Sequence, residues 1–476
     1  MATQAVSRQR SSSCRRVLAV LFWLIAWQAV AWTVNRPLLL AGPLETLGAL
    51  SQLVVTPGYW ASAGLSAFHI ALGFFAGLLL GLGLAVPAAA HPALGAFLEP
   101  PLLALKAVPV ACLVVILLLW VGSAGVGVAC TFIVVLPAYY FSALGALQSR
   151  NKTLEDALSV QGLRGSRKAL ALLWPQMIGY LSATSKVCVG MAWKAGVAAE
   201  LIALSGITLG AQVYQAKLLL ETSQLMAWTI TIVACAYLSE RLFLALLDAS
   251  AQASFAWVLA SDARAGTGQQ TPGASGSQAA EKPVPPTPAP LTASHLQVTY
   301  GGTPLAEDLS FEVAPGQVLC VRGVSGAGKT TLIKTLLGLV RPGGGSLEVP
   351  AQMGYMGQEP TLIESRSAID NVRLVARCSA QAAQEALAEV GLGAVASRSV
   401  AQLSGGQRRR VELVRALMAP GAAVILDEPF YGLDEQARQL AYGFILAHQN
   451  QRPLVVAVHE EADVQALGAS LLEVGV

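Results

Sequence analysis

The sequence predicts a multidomain protein: an all-α membrane half of about six spans, followed by an α/β half with a mostly parallel sheet. Three observations carry this. Apolar runs near 20 residues, the length that crosses a bilayer, recur over the first 250 residues. From residue 293 onward, short β-type runs alternate with helix-type runs. Between them, residues 265–290 hold no aromatic residue, one valine and two charges, Glu281 and Lys282. Such a stretch cannot bury enough apolar surface to offset the entropy of ordering. The expected organisation is a membrane domain over 1–250, a disordered Pro/Gly/Ser-rich linker over 251–292, and a second domain over 293–476.

Composition agrees. Charged residues make up 12% of the chain, about half the usual share for soluble domains, and the mean hydropathy is +0.56. The net charge of +3 is too small for a nucleic-acid surface. The seven cysteines are scattered, without CxxC spacing, and read as small buried hydrophobes.

Spans are expected near 17–35, 62–88, 98–120, 125–147, 179–203 and 224–247. The second is rich in Gly and Ala, as packed membrane helices are. Arg8, Arg10, Arg15 and Arg16 precede the first span, and Arg150, Lys152, Arg164, Arg167 and Lys168 follow the fourth. The positive-inside rule then places the N-terminus and the 148–178 loop in the cytoplasm. An even number of spans returns the linker to the same side. The first span also reads as a secretory signal ending at Ala29-Val30-Ala31, although its length and the belt residues Trp27 and Trp32 suit an uncleaved helix.

The 148–178 loop is too long for a turn and has helical periodicity on both sides of Gly162. It suits an amphipathic helix on the inner membrane surface. Its spacing also resembles a loop in membrane subunits of bacterial ATP-driven importers: EAA, three residues, Gly, nine residues, then I-x-L-P. Asp156-Ala157-Leu158, Gly162, Leu172, Trp174 and Pro175 fall on that spacing, with Asp and Leu as departures. The resemblance implies a coupling helix that docks into an ATPase, with Asp156, Ala157, Gly162, Arg164, Arg167 and Pro175 in the coupling loop.

Further on, Trp193, Lys194, Ala195, Ala198, Ala199 and Glu200 resemble the W-[RK]-A-x-x-A-A-E run of permeases in the nitrate/sulfonate/taurine import family. A charge inside a span is costly and usually faces a partner or a water-filled path. Lys194 and Glu200 therefore read as lining of a translocation path, as a structural ion pair, or, for Glu200, as snorkelling to the outer interface.

In the second half, QVLCVRG precedes KTTLIKTLLGLV, AAVILDEP precedes DEQARQLAYGFILAHQ, and LVVAVHE follows. Between the first strand and helix lies Gly323-Val324-Ser325-Gly326-Ala327-Gly328-Lys329-Thr330, with Thr331 next. This is the G-x-x-x-x-G-K-[ST] phosphate loop in the strand–helix context it needs. Backbone N–H groups cradle phosphate oxygens, Lys329 adds a point charge, and the Thr330 hydroxyl can ligate Mg²⁺.

Leu403-Ser404-Gly405-Gly406-Gln407 matches the signature of ATP-binding-cassette ATPases, and an apolar strand ending in Asp427-Glu428 follows. The resemblance covers this whole half. It implies ATP and Mg²⁺ as cofactors and ATP hydrolysis coupled to transport, with Asp427 on Mg²⁺ through water and Glu428 on the attacking water. It further assigns Tyr300 to adenine stacking, Gln358 to a loop sensing Mg²⁺ and the membrane subunit, Asp434 to the loop across a dimer, and His459 to the γ-phosphate. Departures are Gly357, where an aromatic is usual, Gly432, where Ala is common, and a short helical segment between Gln358 and Leu403.

Together these readings describe a permease tethered to its own ATPase in the bacterial cytoplasmic (inner) membrane. One phosphate loop and one signature per chain imply a homodimer with two ATP at its interface. Membrane-then-ATPase order is typical of exporters, so a half-exporter of lipophilic compounds is the alternative. The loop spacing, the WKAGVAAE resemblance and the ordinary span lengths favour an importer. An importer of this family takes its solute from a separate extracytoplasmic binding protein, here a small anion such as nitrate, a sulfonate, taurine or bicarbonate.

Overall fold

Three glycines set the packing of the membrane half. Gly73, Gly77 and Gly81 recur every fourth residue on one helix, and a Cβ on any of them would meet the backbone of a second helix at 2.4–3.0 Å. Without side chains there the two backbones close up, as lipid-embedded helices do when dispersion replaces the hydrophobic effect. The computed structural model describes residues 2–34, 36, 38–267, 287–300, 303–324 and 326–474. It divides into two units: one before Arg150 plus Gln176–Ser250, the other Arg150–Pro175 plus the chain from Ala251 onward.

The membrane unit begins with α1 (Ala2–Val34), α2 (Pro43–Val54), α3 (Pro57–Ala90), α4 (Pro92–Ala107) and α5 (Val110–Gln148). The excursion that follows comprises α6 (Lys152–Val160), α7 (Gly165–Lys168) and a π-helical turn at Ala169–Leu173. The chain continues through α8 (Trp174–Ala203), α9 (Leu209–Leu218) and α10 (Thr222–Thr267). The glycine stripe lies on α3, and its partner is α5.

About six spans were expected; among the described residues three helices are long and apolar enough, within α3, α5 and α10. The expected span 98–120 is broken where α4 ends and Pro109 caps the start of α5. Gly122, at φ 71°, then kinks α5, separating the apolar stretch before it from the span expected at 125–147. The expected span 179–203 is helical as part of α8, but Lys186, Lys194 and Glu200 lower its hydropathy. The apolar part of α1 is the shorter Leu18–Val34.

The linker expectation is corrected at both ends. Helix α10 continues through 251–261, with Phe255, Val258 and Leu259 buried, and strand pairing begins at Leu291. Residues 268–286, the centre of the expected tether, lie outside the described residues.

The second unit starts with β1 (Leu291–Tyr300), β2 (Thr303–Val313), β3 (Val318–Arg322), α11 (Lys329–Leu336), β4 (Gly344–Glu348) and β5 (Met353–Met356). Next come α12 (Ala368–Ala376), α13 (Ala380–Glu389), α14 (Gly405–Met418), β6 (Ala423–Asp427), α15 (Glu435–His448), β7 (Leu454–Ala457), α16 (Glu461–Ala466) and β8 (Ser470–Glu473). A parallel sheet runs β5-β6-β7-β3-β8, beside an antiparallel sheet β2-β1-β4. Apolar runs such as AVILD and LVVA are buried along their whole length, as strands covered on both faces must be. In register, Asp427 pairs with Ala457 and Val321 pairs with Ala457, so β3, β6 and β7 end at one edge. Ligands bind at such carboxyl ends of open α/β sheets.

A buried arginine on α14 ties this edge together. Arg409 Nη1 donates to the carbonyls of Gly357 (2.7 Å) and Gln358 (3.2 Å), and Nη2 to those of Asp427 (2.5 Å) and Glu428 (2.7 Å). Glu412 lies 3.5 Å from Nη1, and both side chains are almost wholly buried. Removing one member of a buried charge pair costs about 3–5 kcal/mol because the other is left uncompensated. Arg409→Ala is therefore expected to lower stability by about 3–5 kcal/mol, measured by urea unfolding of the full chain in detergent. The exposed Arg341→Ala stays within about 0.5 kcal/mol. Equal midpoints for the two variants would refute the clamp.

Candidate functional site

The phosphate loop joins β3 to α11 at the shared strand edge. Gly328, at φ 92°, caps α11 in a left-handed conformation, and Gly326 has φ 86°. A Cβ at Gly323 would lie 2.3 Å from the carbonyl oxygen of Val474, so only glycine fits there. Lys329 Nζ donates to the carbonyls of Gly323 (2.6 Å) and Val324 (3.3 Å), holding its ammonium over the loop. Thr330 and Thr331 follow in the first turn of α11, and Ala327, within the loop, is buried. Ser325 lies outside the described residues, as does the side chain of Tyr300 at the end of β1.

Asp427 ends β6 and is buried, and neither of its carboxylate oxygens has a hydrogen-bond partner. The Thr330 hydroxyl lies close enough to favour the charged form of the carboxylate. A buried, unpaired carboxylate beside a hydroxyl fits a hard divalent cation such as Mg²⁺, which takes oxygen ligands. Burial first, then the Glu428 charge, pushes the Asp427 carboxyl up to about 6.

Glu428 follows in a left-handed backbone conformation, φ 52°, rare for a residue with a side chain. Its N–H donates to Ala457 O (3.2 Å) and its carbonyl accepts from Arg409, so both neighbours hold the strained turn. The carboxylate then meets two partners. His459 Nε2 lies 2.8 Å from Oε1, and Gln358 Nε2 donates weakly to Oε2 at 3.5 Å. Glu428, His459 and Gln358 thus form one cluster, from segments that the sequence separates by 31 and 70 residues. A carboxylate held between an imidazole and a carboxamide beside a phosphate loop can orient water for in-line attack.

The signature residues do not join that cluster. Ser404 caps α14: its Oγ accepts from Gln407 N (3.3 Å), and Gln407 Oε1 accepts from Ser404 N (3.0 Å). Gly405 and Gly406 begin the helix. Asp434 caps α15 by accepting from Ala437 N at 2.8 Å. Among the described residues, none of these hydrogen-bonds to the phosphate loop. Two departures gain a reason: Gly432 sits at φ 73°, and the Tyr355 hydroxyl occupies the space a side chain at Gly357 would need.

The 150–175 excursion folds as part of this unit. Asn151 caps α6 by accepting from Leu154 N at 3.0 Å. Ala157 is fully buried and Val160 nearly so, both against Met353 and Tyr355. Gln161 Nε2 donates to Tyr355 O (2.5 Å), Gln352 Nε2 to Gln161 O (3.1 Å), and Arg164 Nη2 to Ala351 O (3.2 Å). Gly162, at φ 92°, lies where a Cβ would sit 2.4 Å from Gln352 Nε2. Asp156 is exposed; the buried carboxylate is its neighbour Glu155, between Arg150 and Lys168 at 3.7 Å each. Pro175 follows Trp174 at the start of α8, and Arg167 lies in α7. Glu155 and Gln161 lie off the loop spacing, and Arg409 lies among three consecutive arginines, so no local signal singles them out.

In the membrane unit, Lys194 is exposed on α8 while Glu200 is fully buried, so they form no pair and Glu200 does not snorkel. Ser66 Oγ donates to Glu200 Oε2 (2.6 Å), Gly210 N donates to the same oxygen (3.4 Å), and His69 Nδ1 lies 3.5 Å from Oε1. Glu200 therefore sits at the N-terminus of α9, where helix dipole and free N–H groups favour an anion.

Residues 306–431 match the family model described as ABC transporter, and residues 73–253 the model described as binding-protein-dependent transport system inner membrane component. The chain is similar to the aliphatic sulfonates import ATP-binding protein SsuB 3 of Rhodococcus jostii, 37% identical over 208 residues, covering 39% of this chain and 77% of the relative. It is similar to the taurine import ATP-binding protein TauB of Escherichia coli O157:H7, 34% identical over 204 residues, covering 39% and 80%. It also resembles the cytochrome c biogenesis ATP-binding export protein CcmA of Ruegeria pomeroyi, 36% identical over 188 residues, covering 39% and 91%.

The Asp427 carboxyl gives a pH test. Below about 6 it carries a proton that must leave before a cation binds. Mg²⁺-dependent nucleotide affinity is therefore expected to be flat from pH 8 to 7 and to fall by about tenfold per unit below pH 6, after correction for the nucleotide's own protonation. Calorimetric titrations across this range check it, and a flat profile down to pH 5 would contradict it.

Proposed function

Because the chain belongs to the ATP-binding-cassette transporter family, as a permease and an ATPase in one polypeptide, we propose that two copies form an importer for a small anion delivered by a separate solute-binding protein. The observation that carries this reading is the 150–175 excursion of the membrane half, folded into the ATPase unit with Gln161 on the carbonyl of Tyr355, three residues before Gln358. A membrane segment so placed can feel nucleotide-dependent movement of the Gln358 strand end. The family match over 73–253 supports the inward direction, and the sulfonate and taurine import relatives support the anion class. ATP is cytoplasmic, so the excursion faces the cytoplasm, as its five basic residues suggest; the membrane is then the bacterial cytoplasmic membrane.

Each chain brings one phosphate loop and one signature. In this reading ATP closes between Lys329 and its loop on one copy and Ser404–Gln407 on the other, with Tyr300 on the adenine and Asp434 across the interface. Lys329 turns from its loop carbonyls to the terminal phosphates. Thr330, Asp427 and Gln358 are the residues that would hold Mg²⁺, which would supply charge neutralisation on the phosphates. Glu428 orients the attacking water, and His459 positions Glu428 and meets the γ-phosphate. Closure draws the two 150–175 excursions together and hydrolysis releases them, a two-state element biased by nucleotide. Lys194 borders the solute path, and Glu200 fixes α9 behind it.

The test is ATP hydrolysis by the purified chain in lipid nanodiscs with candidate binding proteins and their solutes. Strong stimulation by one loaded binding protein supports the importer and names its solute; stimulation by lipophilic compounds alone contradicts it. Lys329→Ala should abolish turnover. Glu428→Gln should bind ATP, hydrolyse it about 10²–10³-fold more slowly and accumulate the closed dimer. Charge reversal at Arg164 and Arg167 together should leave hydrolysis intact but uncouple it from uptake. Full-rate uptake in that double variant would remove the excursion from the coupling path.

A further inference from the structure

A second membrane-derived element docks on the same unit. Residues 251–261 prolong α10 beyond the length a bilayer needs, and their burial is periodic: Phe255, Val258 and Leu259 are buried, while Gln252, Ala253, Ala256, Trp257 and Ala260 are exposed. The buried stripe packs with Leu154, Leu158 and Leu163 of the excursion and with Ile363, Leu374 and Val375 of the ATPase domain. One polar group fixes its register. The Arg366 guanidinium lies over the Phe255 ring, 4.1 Å from its centroid, and Nη2 donates to Ala251 O at 3.1 Å. Stacking and a directed bond together make a contact that a lysine cannot reproduce.

Arg366 also leads towards the signature. Its carbonyl accepts from Val400 N (2.9 Å), Glu364 O accepts from Ala401 N (3.0 Å) and from Ser399 Oγ (2.6 Å), and Ser367 bridges Ser399. From there Leu403 N donates to Val400 O (3.1 Å), and Arg408 links Leu403 O, Ala401 O and the Glu364 carboxylate. A contiguous set of hydrogen bonds thus joins Ala251 of α10 to the turn before Ser404.

We propose that residues 251–261 of α10 are a second coupling element, transmitting the position of the last span to the signature through Arg366, in parallel with the excursion that addresses Gln358. The proposal rests on the chain being a coupled transporter. It gives the last span its own line to the half of the ATP site that the signature completes. Coupling is reciprocal, so closure on ATP must also change the α10 tip.

The decisive measurement needs no known solute. Hydrogen exchange of residues 251–261 is followed with and without ATP in the full chain in nanodiscs, carrying Glu428→Gln so that ATP persists. ATP should shift exchange there by roughly fivefold or more, and Arg366→Ala should erase that shift while ATP still binds. Arg366→Lys and Phe255→Leu, which keep bulk and fold, should each reduce it. In the hydrolysing chain, Arg366→Ala should keep basal turnover within about twofold while losing stimulation by a loaded binding protein. An ATP-dependent shift that is absent in the parent, or unchanged in Arg366→Ala, overturns the proposal. Lack of stimulation by every binding protein in the parent would instead overturn the importer reading and leave the exchange result standing.

Discussion

The nucleotide site depends on one guanidinium. Arg409 donates to four carbonyls, two on the Gln358 segment and two on the Asp427–Glu428 turn, while its helix begins at the signature. A buried cation survives only where its donors are used, and carbonyls at strand ends are acceptors that also need partners. Each therefore satisfies the other. The left-handed backbone of Glu428 is a cost that such over-determination can hold. From that turn the carboxylate reaches both His459 and Gln358. Nearby, Glu412 and Arg415 grip Thr361 from the same helix, so α14 fixes the Gln358 segment at both ends.

The 150–175 excursion is held within its unit by the same logic. The excursion offers the Gln161 carboxamide and carbonyl and the Arg164 guanidinium, which meet Tyr355 O, the Gln352 side chain and Ala351 O respectively. Apolar contact under these bonds comes from Ala157 and Val160, small enough to let α6 approach β5. Gly162 turns the chain away where any side chain would strike Gln352. Such directional contacts fix orientation, which a transmitted motion requires.

Much of the ATPase half was legible because its chemistry sits in contiguous residues. The phosphate loop, the signature and the VILDE strand end each carry their geometry within a few positions, and the strands fall where the β-type runs lie. The membrane half was less legible. Hydropathy marked apolar residues but could not see that Pro109 and Gly122 divide a continuous apolar stretch, or that α8 carries three charges through it. The low-complexity composition of 265–290 masks the helical spacing of Phe255, Val258 and Leu259 just before it.

The sequence by itself pointed to the family, to the phosphate loop, the signature and the strand-end carboxylates as candidate site residues, and to a loop whose spacing holds Gly162. Each is a local pattern whose backbone requirement or charge is written in neighbouring residues. Tertiary structure alone decided that Glu155 and Gln161, not Asp156, carry the buried polar contacts of α6, that Glu200 binds Ser66 and α9 rather than Lys194, and that Arg409 joins two strand ends. Gln161 and Tyr355 lie 194 residues apart. A hydrogen bond across that distance depends on how whole layers pack, and no local periodicity encodes it.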